Sequence, residues 1–430
     1  MTNKLLFTNA HLICPEQGLD GNGWLATEGD KITAIGKGDN FSGADKNAEL
    51  IDCKGDILAP GLVDMRVKSG DPGAEHLETL SSLKEAAAHG GITSFAILPS
   101  TEPVIDTAAM IDSLHLRASR IDGPSLYCYG AITKELEDDQ MAELGMMAGA
   151  GARAFASGSL SVQNAQTMRR IMTYASMLDL PVIHHCEDKS LTEDGDMNEG
   201  ETSTRLGMLG QPAAAETIIL QRDIELAKLT GVHYHAAHIS TAGAVAAIRK
   251  AKTEGVRITA DTAPPYFMLN ELAVSSYDAA CKLNPPLRTE ADRLALLEGL
   301  QDGTIDAIAS DHVPVNPDMK MQPFTQASTG ASGIELLLCM TLRLVRTGTL
   351  SLSRAFALIS RNPAQILKLE AGTLKPGMPA DLVRINPNMS WIIEGRAFKS
   401  LSRITPFEGQ PAEGKVTGLW IGGAPVARDK

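Results

Sequence analysis

Three side chains that can bind a metal or move a proton follow short apolar runs in the middle of the chain. His185 ends the run PVIHH, His238 ends HYHAAH, and Asp311 follows DAIAS. Imidazole nitrogens and carboxylate oxygens are both zinc ligands in proteins. A single histidine at such a position is more often a hydrogen-bonded structural residue, and Asp311 could cap the following loop. The three together favour a metal or proton-transfer site.

These residues can meet only if the runs that precede them belong to one sheet. Eight short runs are rich in Val, Ile, Ala or aromatic residues, as expected of strands buried on both faces. They are GLVDMRV, TSFAILP, SLYCYGA, ARAFAS, PVIHHCE, HYHAAHIS, RITADTA and DAIASDH. Amphipathic segments that predict helices separate most of them: 76–89, 107–120, 138–148, 163–178, 213–229 and 242–253. The pattern predicts an α/β fold, a (β/α)8 barrel of the TIM type, with an excursion loop over 264–309.

Both ends of the chain have a different pattern. Short alternating runs such as LLFTNAHLI and KITAIG near the start, and ADLVRIN and VTGLWIGG near the end, predict strands joined by turns. We expect the two ends to form one small β-sandwich-like domain. The predicted boundaries are 1–57 and 370–430 for this composite β domain and 58–369 for the barrel.

Composition limits the classes of partner and location. The chain has 430 residues and a formal net charge of -13, which argues against nucleic acid or an anionic membrane as a partner. Six scattered cysteines without a C-x-x-C pair indicate reduced thiols in the cytoplasm. The sequence shows no signal peptide, and its most apolar segment, near 336–344, contains Arg343 and predicts a core helix.

A series of motifs then runs along nearly the whole chain: APGLVD, DPGAEH, PSTEPVID, HCED, MNEG, YHAAHIST, NPPLR, DGTIDAIASDH, GASGIE, NPAQILKLEAGTLKPGMPADLV and TPFEG. In order and spacing the chain resembles dihydroorotase of the long bacterial type, within the amidohydrolase superfamily. The resemblance implies reversible cyclisation of N-carbamoyl-aspartate to dihydroorotate in pyrimidine biosynthesis. It also implies one or two zinc ions that supply a hydroxide nucleophile.

The resemblance assigns roles by position. His185 and His238 resemble two imidazole ligands of one metal, and Asp311 resembles the proton-shuttling aspartate that is also a ligand. Asn284 and Gly330 resemble substrate contacts, Gly330 through its backbone. Ser100 stands where the family has a substrate-binding asparagine.

The departures from the family pattern fall at the reacting centre. Arg66 and Lys68 stand where the family has two metal-binding histidines, and Gly70 stands where it has a substrate-binding arginine. Ser157 replaces the aspartate that bridges the metals, and Val315 replaces a substrate-binding histidine. A Pro-His-His run of the family reads here as Pro-Pro-Tyr at 264–266.

What remains is a poor zinc site. Two imidazoles and Asp311 are residual ligands, and two cations occupy the replaced positions. Two unit charges 4 Å apart interact by about 4 kcal/mol at an effective dielectric of about 20, so a dication would meet several kcal/mol of repulsion. We expect zinc to be absent, or present as at most one weakly bound ion.

Residues 66 and 68 lie two apart, so their side chains leave a strand on the same side. One hypothesis is that both cations pair with Asp311 and replace the charge of the lost metal, since an unpaired buried carboxylate is costly. On this hypothesis Lys68→Met destabilises the fold. The alternative is that both side chains reach outward into solvent.

Three functions are compatible with this reading. The preferred one is a non-catalytic dihydroorotase homologue, a structural subunit that partners aspartate carbamoyltransferase, and that we also expect to form a homo-oligomer. The second is an active cyclic amidohydrolase with one zinc on His185, His238 and Asp311. The third is an anion sensor with Arg66 and Lys68 as a clamp for a small anionic pyrimidine precursor.

Overall fold

The computed structural model describes residues 3–38, 41, 45, 47–138 and 140–426. Its strands, in chain order, are β1 (Lys4–Cys14), β2 (Leu19–Glu28), β3 (Lys31–Lys37), β4 (Glu49–Asp52), β5 (Ile57–Pro60), β6 (Leu62–Val67), β7 (Ile92–Ile97), β8 (Ser125–Ala131), β9 (Ala154–Ala156), β10 (Val182–His185), β11 (Met197–Asn198), β12 (Gly210–Gln211), β13 (Tyr234–Ala237), β14 (Ile258–Thr262), β15 (Ala307–Ile308), β16 (Leu382–Ile392), β17 (Pro411–Ile421) and β18 (Ala424–Pro425).

The helices are α1 (Leu80–His89), α2 (Ala108–Ala118), α3 (Leu144–Gly149), α4 (Ala165–Leu178), α5 (Lys189–Thr192), α6 (Glu201–Leu206), α7 (Ala214–Thr230), α8 (Ala242–Thr253), α9 (Pro264–Met268), α10 (Glu290–Asp302), α11 (Pro317–Lys320), α12 (Leu337–Arg346), α13 (Leu352–Phe356) and α14 (Asn362–Ile366). Polar side chains define where several begin. Asn164, Thr241 and Thr289 each accept a hydrogen bond from a backbone N–H of the first turn of α4, α8 and α10.

The eight predicted barrel strands are all present and form one parallel sheet in the order β15, β14, β13, β10, β9, β8, β7, β6. The first strand meets the last strand's continuation, because Val67 pairs with His312 in a parallel bridge and the Lys68 N–H donates to the His312 carbonyl at 2.8 Å. Small side chains such as Ala96, Ala154 and Ala237 fill the interior. The predicted (β/α)8 barrel is confirmed.

Strands from both ends of the chain pair in a second, mixed sheet. β16 pairs antiparallel with β5 and β17, and β1 pairs with β2, β4 and β5. A separate apolar core that includes Phe7, Leu25 and Trp420 packs against this sheet. The strand Ile57–Pro60 crosses the predicted boundary at residue 57, while the division into 1–57 with 370–430 and 58–369 stays a prediction.

Two predicted segments differ from the structure. The helix predicted over 138–148 begins only at Leu144, because Met141 pairs with Thr133 in an antiparallel bridge. The predicted excursion over 264–309 contains the 13-residue helix α10. Thr289 and Asp292 form a capping box at its start, and the sequence TEAD at 289–292 carries that signature. Among the described residues, no helix has the length and apolar character needed to cross a membrane.

Candidate active site at the barrel mouth

The predicted site residues converge at the carboxyl ends of the barrel strands. His185 ends β10, His238 follows β13, and Asp311 follows β15. His238 and Asp311 both have left-handed backbones, with φ of 35° and 50°, a conformation that costs free energy outside glycine. The carboxylate of Asp261 holds the first of these in place by accepting the His238 N–H at 2.7 Å.

A buried ion pair joins the first and last strands at this mouth. The Arg66 Nε–H donates to Asp311 Oδ1 at 2.8 Å, and the two side chains are only 3% and 8% exposed. Arg66 Nη2 also donates to the Gly158 carbonyl at 3.3 Å. The guanidinium therefore links the strand that opens the barrel to the residue that follows the strand that closes it.

The two histidines form a hydrogen-bonded chain between two carboxylates. Glu187 Oε2 lies 2.6 Å from His185 Nε2, and His185 Nδ1 lies 2.8 Å from His238 Nε2. His238 Nδ1 in turn lies 3.1 Å from Asp311 Oδ2. Tyr266 also donates its hydroxyl to Asp311 Oδ2 at 2.8 Å, so both oxygens of that carboxylate have partners.

Counting protons along this chain fixes its charge. Ionised carboxylates only accept, so each outer ring nitrogen must carry a proton, and the contact between His185 and His238 needs a third. Three protons on four ring nitrogens leave one imidazole charged. Together with Arg66, this imidazolium balances the negative charges of Asp311 and Glu187, and the network is neutral.

Burial and neighbouring charge favour the neutral ring of His238. Burial, reinforced by the Arg66 charge, lowers the pKa of His238 to about 4, so its ring is neutral near pH 7. Burial opposes ionisation of Glu187, but the hydrogen bond and charge of His185 lower its pKa to about 2. Burial also opposes ionisation of Asp311, yet His238 and Arg66 hold the pKa of this carboxyl well below its ordinary value.

The other predicted site residues lie around this network with different roles. Ser157 Oγ accepts the His185 N–H at 3.0 Å and so fixes the backbone at the end of β10. Asn284 donates its amide to Glu187 Oε2 at 3.1 Å and, with Gly330, lines the pocket at the mouth. Ser100 packs beside Gly158, and its hydroxyl has no hydrogen-bond partner among the described residues.

Lys68 does not follow the predicted pairing. Its side chain is half-buried and lines the mouth pocket, but among the described residues no carboxylate lies within ion-pair distance of its Nζ. The expectation that both cations pair with Asp311 is therefore wrong for Lys68 and correct for Arg66. The donors that do reach Asp311 are Arg66, His238 and Tyr266.

The sequence interpretation missed the roles of Glu187 and Tyr266. Glu187 lies two residues after His185, so an extended backbone directs both side chains to the same side. This two-residue spacing could have indicated that Glu187 lies on the same side of the chain as His185. Tyr266 was recognised only as a departure from the family pattern, and its contact with Asp311 spans 45 residues of sequence, which no local pattern reveals.

The mouth does not fit a zinc ion in this arrangement. The imidazole lone pair of His238 and both oxygens of Asp311 already accept hydrogen bonds, and each remaining ring nitrogen of the pair carries a proton. The Arg66 guanidinium lies on the carboxylate that a metal would need. A metal would have to displace the guanidinium and remove at least one proton.

A second group of potential ligands lies outside the mouth. Candidate ligand atoms of His184, Cys186 and Asp223 lie within 4.8 Å of one another. His184 Nδ1 lies 2.7 Å from Asp223 Oδ2, and His184 Nε2 accepts the Val162 N–H at 2.9 Å, so both ring nitrogens have partners. Burial raises the pKa of the Cys186 thiol well above its ordinary value, whereas metals bind the thiolate. This group is a buried hydrogen-bond network.

Several motifs of the resemblance meet in a structural contact. Arg288 of NPPLR donates through Nε to Ser240 Oγ at 3.2 Å and through Nη1 to Asn198 Oδ1 at 3.0 Å. Ser240 belongs to YHAAHIST and Asn198 to MNEG. This contact holds the loops around the mouth together, and among the described residues Arg288 makes no hydrogen bond to His185 or His238.

A cavity of about 1140 Å³ lies at the opposite end of the barrel, against the amino ends of β8 and β9. None of the predicted site residues lines it. The mouth pocket is much smaller, about 110 Å³, and holds Lys68, Tyr266, Asn284, Asp311 and Gly330 among its lining residues.

The barrel and its mouth define the class of protein, an amidohydrolase. The Amidohydrolase family model matches residues 227–427, and the Dihydro-orotase-like model matches residues 55–244. The solved structure of L-hydantoinase (dihydropyrimidinase) from Arthrobacter aurescens superposes with a TM-score of 0.88 at 24% identity, covering 100% of this chain and 96% of that one. Dihydropyrimidinase from Brevibacillus agri superposes with a TM-score of 0.83 at 23% identity, covering 99% and 95%.

Relatives of higher sequence identity show which family within the amidohydrolases the chain belongs to. A dihydroorotase from Syntrophus aciditrophicus is 43% identical over 413 residues, 96% of each chain. One from Syntrophotalea carbinolica is 43% identical over 412 residues, again 96% of each. One from Pelotomaculum thermopropionicum is 41% identical over 430 residues, 99% of each. The chain belongs to the dihydroorotase family.

Removing the Arg66 guanidinium should destabilise the fold, because it leaves the buried Asp311 carboxylate without its cation. Arg66→Leu leaves Asp311 without its cation, and we expect a loss of about 3–5 kcal/mol in the free energy of unfolding. Urea denaturation followed by circular dichroism measures it. As a control, Arg249→Leu removes an exposed ion pair with Asp302 and should cost less than about 1 kcal/mol. Equal losses in the two variants would contradict the structural role of Arg66.

The lowered pKa of His238 predicts a pH dependence of stability. Unfolding raises the pKa of His238 from about 4 to about 6.5, so the unfolded chain gains a proton between these values. Stability is therefore full above pH 6.5 and falls as the pH decreases towards 4. At 1.36 kcal/mol per pKa unit the loss reaches roughly 3 kcal/mol.

We expect His238→Asn to flatten the dependence between pH 6.5 and 4, measured as the urea midpoint at each pH. The control His11→Asn replaces a half-buried histidine of the mixed sheet and should keep the slope of the parent. If His238→Asn keeps that slope as well, another group titrates in this window.

Proposed function

We propose that this chain is a dihydroorotase-family protein of pyrimidine biosynthesis whose mouth holds no zinc and which does not turn over dihydroorotate. The observation that carries the proposal is the buried Arg66–Asp311 ion pair at 2.8 Å. It places a fixed cation on the carboxylate that would bind a metal and shuttle the proton. Without a metal, no group at the mouth lowers the pKa of water enough to make hydroxide near pH 7.

Electrostatics supports the same conclusion. Two unit charges 4 Å apart interact by about 4 kcal/mol at an effective dielectric of about 20, and a dication beside a guanidinium meets twice that repulsion. Bound zinc would also need neutral imidazoles, yet the chain of hydrogen bonds requires a shared proton between His185 and His238. The site is therefore stabilised as a neutral network of protein groups.

A single-zinc enzyme is the second candidate, and the names of the relatives favour it. Proteins that are 41–43% identical over nearly the full chain are named dihydroorotase. In such an enzyme His185, His238 and Asp311 would hold the ion, which would supply the hydroxide nucleophile. Arg66 would then have to leave Asp311 and find another partner for its buried charge.

A structural role would require a protein partner, and we propose aspartate carbamoyltransferase. What supports a partner is an exposed apolar surface on neighbouring helices of the barrel. Leu116 on α2, Met146 on α3, and Tyr174 and Met177 on α4 are 56%, 64%, 38% and 74% exposed. We call these residues the α2–α4 patch. Exposed apolar groups on neighbouring helices favour protein contact, with a further copy of this chain as the competing partner.

The location in the cytoplasm is part of the same proposal. The six cysteines are all free and buried, which fits a reducing compartment.

One preparation can test the catalytic part. We expect elemental analysis of the purified protein to find less than about one-tenth of an equivalent of zinc, and dihydroorotate hydrolysis to stay at background with zinc added. Stoichiometric zinc with turnover would establish the single-zinc enzyme.

A variant that rebuilds the family pattern supplies the matched control. Arg66→His, Lys68→His and Ser157→Asp together return three ligands to positions where the family has them. We expect this triple variant to retain zinc through a desalting column while the parent does not. Zinc in neither protein would show that further residues limit the site.

The partner can be tested through the α2–α4 patch. We expect the chain to co-elute with the aspartate carbamoyltransferase of the same organism in size-exclusion chromatography, and Met146→Glu with Met177→Glu to weaken binding at least tenfold. Leu50→Glu, at an exposed position of the mixed sheet, is the control and should bind like the parent. Separate elution of the parent from the transcarbamoylase would reject this partner.

A further inference from the structure

Lys68 lines the mouth pocket with a charged side chain that forms no ion pair among the described residues. Asp311 is engaged with Arg66 and Glu187 with His185, so neither carboxylate is paired with Lys68. Among the described residues its Nζ has neither a carboxylate partner nor a hydrogen bond. Lys68 Nζ is not among the buried atoms that lack a partner, so solvent reaches the ammonium and a small ligand could contact it.

The surroundings of Lys68 form a small pocket with further unused donors. The pocket of about 110 Å³ is lined by Lys68, Ser159, Asn284, Thr329 and the apolar ring of Phe407. The hydroxyls of Ser159 and Thr329 make no side-chain hydrogen bond among the described residues. Apart from Lys68, the charged residue that lines the pocket is Asp311, whose charge is paired with that of Arg66.

Size restricts what this pocket can hold. A cavity of about 150 Å³ accommodates a benzene ring, and 110 Å³ is smaller. A molecule of about four heavy atoms fits, whereas a substituted six-membered ring does not fit without opening of the mouth. The earlier hypothesis of a clamp formed by Arg66 and Lys68 changes accordingly, since Arg66 is engaged with Asp311.

We propose that this pocket binds a small monovalent oxyanion of the carboxylate or bicarbonate class, with its charge on the Lys68 ammonium and its oxygens within reach of the Ser159 and Thr329 hydroxyls. One negative charge would balance the charge of the Lys68 ammonium. Burial lowers the pKa of Lys68, and an anion beside the ammonium would reverse that shift by stabilising the charged form. The inference rests on the metal-free mouth proposed above.

The resemblance places a metal-binding histidine at position 68, so an anion on this lysine is not the family's own carboxylate site. In this chain the arginine of that site is Gly70. The proposed anion therefore contacts a residue at the position where the family has a metal-binding histidine.

Sodium acetate, sodium formate and sodium bicarbonate are the probes, with sodium chloride at the same ionic strength and pH as reference. Zinc content is measured on the same preparation. Bound zinc would count against the proposed function, whereas a zinc-free protein without a response to the probes would count against the anion site. We expect at least one probe to raise the thermal unfolding midpoint above that in chloride. At ten times its Kd, an anion should shift the folding equilibrium about tenfold.

Lys68→Met tests the contact directly, and Lys250→Met is its matched control on an exposed lysine of α8. We expect Lys68→Met to lose the response to the probes, and to unfold in chloride at the same temperature as the parent or higher. Lys250→Met should keep the full response. These expectations reverse the sequence-based one, in which Lys68→Met destabilises the fold.

Three results would overturn the proposal. One is a metal-free parent with equal midpoints in chloride and in all three probe anions. Another is an undiminished response in Lys68→Met. The third is Lys68→Met that unfolds well below the parent in chloride, since that would show a stabilising partner for this lysine.

Discussion

The ion pair between Arg66 and Asp311 is the constraint on which the mouth of this barrel depends. It crosses the seam where the sheet closes, beside the bridge between Val67 and His312. A buried carboxylate without a cation would protonate or destabilise the fold, because desolvation disfavours its charge. The Arg66 guanidinium supplies that cation. Its Nε donates to Asp311, and its Nη2 donates to the Gly158 carbonyl.

The rest of the mouth follows from that pair. With Oδ1 taken by Arg66, His238 and Tyr266 share Oδ2, and the histidine chain must then carry a proton to reach Glu187. Arg66 thus supplies, within the protein, a cation that balances the charge of Asp311. Fold and chemistry are separable because the barrel is stabilised by its strands and helices, while the chemistry depends on a few side chains at their ends.

Much of the arrangement could be predicted from residue types and spacing. The eight apolar runs correspond to the eight barrel strands, and the strand-end positions of His185, His238 and Asp311 bring these residues together as expected. Period-two alternation predicts that Arg66 faces the mouth, and desolvation explains why it pairs with Asp311. The same reasoning failed for Lys68, because period-two alternation gives the side of the strand that a side chain leaves and not the carboxylate that it reaches.

The sequence by itself determined the fold class, the family and the strand-end positions of His185, His238 and Asp311, because strand periodicity and motif order are local and linear properties of the chain. Tertiary structure alone decided which partners those residues take. Tyr266 donates to Asp311 from 45 residues away in sequence, and Asn284 donates to Glu187 from 97 residues away, contacts that depend on donor and acceptor meeting in the right geometry. The same folding leaves Arg66 paired with Asp311 and Lys68 without an ion-pair partner among the described residues.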